Sequence, residues 1–103
     1  PELIASADEL FRGEQLYNEV CGICHGGAAK SAGIIPDLRM MAPETHKIFK
    51  NIVVDGVYAG KGMAGFGDIL NEKDTENIRQ YIISRGIADK AEAEALESSA
   101  GGR

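Results

Sequence analysis

The chain carries both of its cysteines in one short segment, Cys21-Gly22-Ile23-Cys24-His25. Two cysteines separated by two residues, with histidine directly after the second, are the attachment pattern of a c-type haem. Each thiol adds to one vinyl group at the porphyrin edge, so a single turn of chain presents Cys21 and Cys24 to neighbouring substituents. The same turn places a ring nitrogen of His25 under the iron. The segment therefore predicts one haem c, covalently bound through Cys21 and Cys24 and ligated by His25.

Two other uses of the cysteine pair have less support. A redox dithiol belongs at a helix start after a strand, and the sequence before Cys21 shows no strand pattern. A zinc site would take His25 and His46 as further ligands, but structural zinc sites pair two ligand clusters, and His46 stands alone. Haem attachment is the prediction that we retain.

Length and composition predict one small domain with a large group in its core. The chain of 103 residues fits a single domain, and a domain of this size buries a limited share of its surface. Aromatic residues make up 6% of the chain and tryptophan is absent, so a porphyrin would supply the flat apolar group that the side chains lack. The net charge of −5, without clustered Lys and Arg, argues against a nucleic-acid partner.

The sequence has no run of residues that is apolar enough to span a membrane. The chain opens Pro1-Glu2-Leu3, without the basic and apolar segments of a signal peptide. Because haem c is attached after export, we expect a mature periplasmic or otherwise exported protein, or an excised domain of one.

The N-terminal part predicts a helix with one apolar face. Ser6-Ala7-Asp8-Glu9 has the form of a capping box. Apolar positions then recur at steps of three and four residues: Leu10, Gly13, Tyr17 and Val20. Gly13 costs ~1 kcal/mol inside a helix relative to alanine. Either another helix crosses closely at this glycine or the glycine is merely tolerated, and the sequence leaves both open.

Two further helices are predicted in the second half. Pro43 suits the first position of one helix, and Gly56 ends it. Asn71 opens the last helix and Gly86 ends it. The apolar faces are Ile48, Phe49, Ile52 and Val53 in the first, and Ile78, Tyr81 and Ile82 in the second. The fold class is therefore all-α, with three main helices plus loops wrapped around one covalent haem.

The C-terminal residues differ in composition from the rest of the chain. From Ala88 onward they are rich in Ala and Glu, then in Ser and Gly. This composition favours a frayed helix or a flexible tail. We therefore divide the chain into a haem domain at residues 1–87 and a tail at residues 88–103.

The far side of the iron carries either a second ligand or an open position. The candidate ligands are Met40, Met41, Met63 and His46. A thioether opposite histidine raises the reduction potential, because this neutral, soft ligand favours ferrous iron. Met63 lies in the glycine-rich loop 57–67, whose small residues let backbone approach a porphyrin face, and Phe66 can pack on that face. We interpret Met40 and Met41 as haem-edge packing and His46 as a surface residue, so Met63 is the predicted ligand.

From about residue 8 to residue 86 the chain resembles class I c-type cytochromes. More narrowly, it is similar to the C-terminal haem c domain of quinohaemoprotein alcohol dehydrogenases and to related free monohaem cytochromes. The motifs that carry the resemblance are Cys21-Gly22-Ile23-Cys24-His25-Gly26, Ile35-Pro36-Asp37-Leu38-Arg39, Phe49-x-x-Ile52-Val53-x-x-Gly56, Gly62-Met63-x-x-Phe66 and Ile78-x-x-Tyr81-Ile82. The chain departs from it at Ala64, where proline often follows the methionine, and in having no room for a quinone-binding domain.

The resemblance implies roles for individual residues. His25 is the proximal ligand and Met63 the distal one. The carbonyl of Pro36 accepts a hydrogen bond from the other ring nitrogen of His25, and Arg39 pairs with a haem propionate. Contacts between the first and last helices are implied at Gly13 and Tyr17 with Ile78 and Tyr81.

Taken together, these features predict a one-electron carrier and not an enzyme, because six-coordinate iron has no open position for a substrate. The expected donor is a dehydrogenase, such as a quinoprotein alcohol dehydrogenase, and the expected acceptor a respiratory oxidase or cytochrome. The expected docking surface is the haem edge, with Gly22, Ile23, Ala28, Ala29, Met40, Met41, Ala64 and Gly65. The alternative is an open-site haem protein with peroxidase or gas-sensing activity, in which the Met63 bond is weak or absent.

Overall fold

The computed structural model describes residues 2–26, 29, 37–61 and 63–101, apart from the side chains of residues 23, 24, 61 and 98–100. Within these ranges every regular element is helical, which confirms the all-α prediction. The α-helices are α1 (Ala7–Leu16), α2 (Gly22–His25), α3 (Pro43–Lys47), α4 (Phe49–Val53) and α5 (Glu72–Gly101). A π-helical turn (Tyr17–Cys21) joins α1 to α2, and 3-10 turns occupy Leu38–Met40 and Ala59–Lys61.

The start of α1 is fixed by the predicted capping box. The Ser6 hydroxyl accepts from the Glu9 backbone N–H at 3.2 Å, and the Ser6 N–H donates to Glu9 Oε1 at 2.9 Å. The Glu9 carboxylate also pairs with Lys73 at the start of α5. The hydrogen bond from Lys73, together with those from Ser6, lowers the pKa of Glu9 to about 2. The cap therefore also joins α1 to α5.

The two long helices touch backbone to backbone at Gly13. A Cβ added at Gly13 would lie 2.1 Å from the backbone oxygen of Asn77 and 3.1 Å from the Cβ of Tyr81. One turn further on, the rings of Tyr17 and Tyr81 have centroids 5.4 Å apart at 53°, an edge-to-face type of contact. Gly13 is therefore required by a close crossing, and the contact between the first and last helices that the resemblance implied is confirmed.

The middle of the chain forms two short helices, where the sequence predicted one. Pro43 opens α3 as predicted, but the chain breaks at Ile48, whose φ of −107° and ψ of 15° are not helical. Ile48 is 38% exposed, so its predicted place on the buried face is wrong. Phe49, Ile52 and Val53 are buried as expected. The break re-aims α4, so that these three side chains reach the core without Ile48.

Helix α5 continues past the predicted end at Gly86. Its start agrees with the sequence, since Asn71 Oδ1 accepts from the Asp74 N–H at 2.7 Å. Gly86 is not among the described residues with positive φ, and the helix runs on to Gly101. The residues after Gly86 include strong helix formers, and Asp89 ties the next turn to Arg85 and Arg39 at 2.8 Å each.

The predicted end at Gly86 is therefore wrong, while the division into a haem domain (1–87) and a flexible tail (88–103) stays a prediction. None of the described helices combines the length and the apolar character that crossing a membrane requires.

The segment before α1 is anchored to α5 by Gln80. This buried side chain is 2% exposed. Its oxygen accepts from the backbone N–H groups of Ile4 and Ala5 at 2.8 and 3.1 Å, and its nitrogen donates to the Glu2 carbonyl at 3.2 Å. The apolar face of α5 thus carries one polar residue whose hydrogen bonds hold the N-terminal segment.

Two helical glycines provide a matched test of this fold. We expect Gly13→Ala to lower the free energy of unfolding by about 1–3 kcal/mol, as overpacking does, because the backbone of Asn77 cannot yield without moving α5. Gly86→Ala is the control, since the atom nearest to its added Cβ, the Arg39 backbone oxygen, lies at 3.4 Å. We expect this variant to gain about 0.5–1 kcal/mol through helix propensity.

Chemical denaturation of the holoprotein, followed by circular dichroism, measures both values. A loss of stability in Gly86→Ala would mean that the helix ends at that glycine after all. Unchanged stability in Gly13→Ala would contradict the close helix crossing.

Candidate haem site

The attachment segment occupies one helical turn that begins in the core and ends at its edge. Cys21 is the last residue of the π-helical turn and is 8% exposed, within the core cluster that also contains Leu16 and Tyr17. His25 is the last residue of α2 and is half-buried. The side chain of Cys24 lies outside the described atoms. The backbone thus has the single turn that the motif requires, and both thioether bonds stay predictions.

Tyr17 holds the end of this turn by a hydrogen bond. Its hydroxyl donates to the carbonyl of Gly26, the residue after His25, at 2.6 Å. Gly26 has a φ of 86°, so the chain leaves α2 in a conformation that favours glycine. Burial, the largest influence, raises the pKa of Tyr17 to about 12, and the phenol stays a donor at ordinary pH. Sequence reasoning gave Tyr17 only an apolar role and missed this bond.

Apolar side chains surround the core cluster that contains Cys21. Five partly buried residues pack against this cluster, namely Val20, Leu38, Met41, Met63 and Phe66. Apolar surroundings with a few polar donors suit a flat apolar group with a metal at its centre. The donor set also fits, since a thiol, an imidazole and a thioether are the groups that haem c uses. The residues present therefore fit a haem.

The four candidate distal ligands have different surroundings. Met40 is 81% exposed, whereas Met41 and Met63 pack against the cluster that contains Cys21. His46 is half-buried, and its Nδ1 lies 3.4 Å from Nη1 of Arg79 on α5. Burial, and then the charge of Arg79, lower the pKa of His46. His46 thus lies half-buried beside Arg79 of α5, and its assignment as a surface residue stays a prediction.

The loop that carries Met63 is bound to its neighbours by backbone hydrogen bonds. The Met63 N–H donates to the Tyr58 carbonyl at 3.2 Å, and the Phe66 N–H donates to the Val53 carbonyl at 2.6 Å. Phe66 is half-buried and packs against the same core cluster as Met63. Gly62 lies outside the described residues. Backbone hydrogen bonds therefore hold the loop at Met63 itself and at Phe66, three residues later.

The predicted outer contacts of the haem are partly described. Pro36 lies outside the described residues. The guanidinium of Arg39 donates to both carboxylate oxygens of Asp37, at 3.0 and 2.6 Å, and to Asp89 at 2.8 Å. These acceptors, Asp37 first, raise the pKa of Arg39. Arg39 links the Leu38–Met40 turn to α5, and its contact with a propionate stays a prediction.

Comparison with known proteins agrees with this site. Residues 8–82 match the family described as cytochrome c oxidase, cbb3-type, subunit III. The chain is 38% identical over 85 residues to quinohemoprotein alcohol dehydrogenase ADH IIB of Pseudomonas putida, covering 82% of this chain and 12% of that protein. It is 36% identical over 76 residues to cytochrome c550 of Pseudomonas aeruginosa, covering 70% of this chain and 52% of that protein.

A solved structure agrees with the sequence relatives. The chain superposes on quinohemoprotein alcohol dehydrogenase ADHIIG from Pseudomonas putida HK5 with a TM-score of 0.79 and 36% identity, over 84% of this chain and 12% of that one. The chain thus spans 12% of the length of these two dehydrogenases.

Fold and site together define a cytochrome c domain. The chain belongs to the cytochrome c family that is matched over residues 8–82. The resemblance to the haem domain of quinohaemoprotein alcohol dehydrogenases and to free cytochromes is confirmed. Membership implies a haem c, iron and electron transfer.

Removal of one oxygen tests the role of Tyr17. We expect Tyr17→Phe to lower the free energy of unfolding by about 1 kcal/mol, because a buried hydrogen bond is lost while the ring contact stays. We also expect faster amide hydrogen exchange in α2, because the carbonyl of Gly26 is no longer held. Tyr81→Phe is the control, since it keeps the ring pair and the Tyr17 hydroxyl. Equal exchange in α2 for both variants would contradict the anchoring role.

Proposed function

We propose that this chain is a one-electron carrier that binds one haem c through Cys21 and Cys24, with His25 as proximal and Met63 as distal ligand. The observation that carries the proposal is the packing of Met63 against the core cluster that contains Cys21. Histidine and a thioether form the axial pair that raises the reduction potential of a haem. Among the alternative ligands, Met40 is 81% exposed and His46 contacts Arg79. Met41 packs against the same cluster as Met63, but it lies outside the glycine-rich loop whose small residues let backbone approach a porphyrin face.

When bound, the haem iron would supply a ferric–ferrous redox couple. The residues of this chain would control that couple. A ring nitrogen of His25 would bind the iron, and the Tyr17–Gly26 hydrogen bond holds the turn that carries His25. The other ring nitrogen would donate to the carbonyl of Pro36, as the resemblance implies, and this bond would fix the tautomer and raise the basicity of the ligand. The thioether of Met63 and the apolar side chains packed against the core cluster would exclude water and favour the ferrous state. With His25 and Met63 both held by the protein, a change of oxidation state would need little rearrangement.

Arg39 remains available for a propionate under this proposal. A guanidinium has five N–H donors, and the hydrogen bonds to Asp37 and Asp89 use three of them. Asp37 and Asp89 would hold the guanidinium in place, and its remaining donors could bind a carboxylate by charge-assisted hydrogen bonds.

The proposed donor is a dehydrogenase and the proposed acceptor an oxidase or another cytochrome, in the periplasm or another exported location. The relatives named as alcohol dehydrogenases support the donor, and the relative named cytochrome c550 supports a cytochrome that carries electrons. The chain would accept and donate electrons and would not itself transform a substrate.

The proposed docking surface is the haem edge. Met40 is 81% exposed, and Ala64 and Gly65 are also exposed, which suits a contact that is small and transient. Ala29 is fully buried, so its expected place on this surface is wrong.

Visible spectra test the ligand assignment. We expect ferric wild-type protein to show the red-end band of an iron–thioether bond, and Met63→Ala to lose this band and to bind carbon monoxide rapidly when reduced. Met40→Ala is the control and should keep the wild-type spectrum, since its side chain points to solvent. An unchanged spectrum in Met63→Ala would remove Met63 as ligand. A high-spin spectrum of the wild type would favour the open-site alternative.

Oxidation kinetics test the docking surface. We expect Ala64→Glu to slow oxidation by a purified acceptor cytochrome about tenfold, equivalent to ~1.4 kcal/mol, because a carboxylate would be desolvated in the contact. Ala93→Glu places the same change at an exposed site on α5 and should leave the stopped-flow rate near that of the wild type. Equal rates for the two variants would place the docking surface elsewhere.

A further inference from the structure

We propose that Gly65 is a positioning residue for Met63. Its direct backbone contact with Gly56 would set how far the Met63 loop stands from α4, and therefore where the thioether lies. The proposal rests on the proposed function, because it takes Met63 to be the distal ligand. It concerns a residue that touches neither haem nor ligand and acts through the backbone two residues after Met63.

The contact leaves little room for a side chain at position 65. A Cβ added to Gly65 would lie 3.0 Å from both the Cα and the N of Gly56, and 3.1 Å from the carbonyl oxygen of Val54. These neighbours are backbone atoms, so they cannot yield by changing a rotamer. Gly65 is nevertheless exposed, and the constraint therefore comes from one side only, the side that faces the end of α4.

The partner in this contact is constrained as well. Gly56 has a φ of +72°, and a Cβ there would lie 3.2 Å from the N and 3.3 Å from the Cα of Gly65. Gly67 repeats the pattern, since its added Cβ would lie 2.9 Å from the carbonyl oxygen of Val54. The two ends of the Met63 loop therefore contact each other through the backbone of Gly56 and Gly65. Gly65 and Gly67 also contact the backbone of Val54, directly after α4.

Hydrogen bonds would transmit this contact to the ligand. The Phe66 N–H donates to the Val53 carbonyl at 2.6 Å and the Met63 N–H to the Tyr58 carbonyl at 3.2 Å. Between these two bonds lie only Ala64 and Gly65. A side chain that pushed residue 65 away from Gly56 would move this short segment, and Met63 with it. A ligand constellation must be held within about 0.5 Å of its productive geometry, so a displacement of a few tenths of an ångström matters.

The test measures how readily imidazole replaces the Met63 thioether at the iron of the ferric holoprotein. Imidazole displaces a weakly held thioether, and its apparent affinity reports the strength of the Met63 bond. We expect Gly65→Ala to bind imidazole about tenfold more tightly than the wild type, equivalent to ~1.4 kcal/mol, and to show a weaker thioether band. Gly60→Ala is the matched control in the same loop, because no atom of the residues that the structure describes lies within 4 Å of its added Cβ, and it should resemble the wild type.

Further variants separate the possible outcomes. In a Met63→Ala background, Gly65→Ala should leave imidazole affinity unchanged. If Met63→Ala alone leaves the spectrum unchanged, the ligand assignment fails. If Met63→Ala changes the spectrum but Gly65→Ala matches Gly60→Ala in affinity, only the positioning role is overturned. A lower melting temperature with unchanged imidazole affinity would likewise show a purely structural role.

A second glycine covers the case in which Gly65→Ala does not fold. Gly67→Ala meets the Val54 carbonyl and should also increase imidazole affinity, and wild-type affinity in this variant would contradict the inference. If neither variant yields folded holoprotein while Gly60→Ala does, the contact serves the folding of the loop and the positioning role is overturned.

Discussion

The backbone contact between Gly13 and Asn77 is the constraint on which the haem site depends. It brings α1 and α5 so close that a methyl group at position 13 would meet the Asn77 oxygen at 2.1 Å. At this separation Tyr17 reaches Tyr81, and the Tyr17 hydroxyl reaches the carbonyl after His25. The attachment turn is thus held in place by a crossing of two helices that are far apart in sequence. If α1 and α5 crossed at a larger distance, Tyr17 would hold the attachment turn less firmly.

The proposed distal side of the site uses the same kind of contact. Gly56, Gly65 and Gly67 bring the Met63 loop against the end of α4 through backbone atoms. Backbone contacts are stiffer than side-chain packing, because no rotamer change can relieve them. A carrier benefits from such stiffness, since its ligands must keep their places through a change of charge. Both proposed axial ligands would then be positioned by glycine contacts between elements that are not adjacent in sequence.

Some details could be predicted because they depend on neighbouring residues alone. The capping box at Ser6 and Glu9, the start of α3 at Pro43 and the Asn71 cap of α5 are local hydrogen-bond or conformational effects. The errors at Ile48 and Gly86 have the opposite cause. The chain breaks at Ile48, and α4 begins in a new direction after it. In that direction Phe49, Ile52 and Val53 reach the core, and Ile48 does not. Gly86 stays helical in a turn that Arg39, distant in sequence, holds through Asp89.

The sequence by itself determined the attachment motif, the helical class, the candidate ligands and the family, because these depend on residue types at fixed spacings. Only the tertiary structure decided that Gly13 marks a close crossing, that Tyr17 holds the turn after His25 and that His46 packs against Arg79. It also separated the exposed Met40 from Met41 and Met63, which pack against the core. The physical reason is that these contacts join residues from different helices and loops, and their distances follow from how those elements pack.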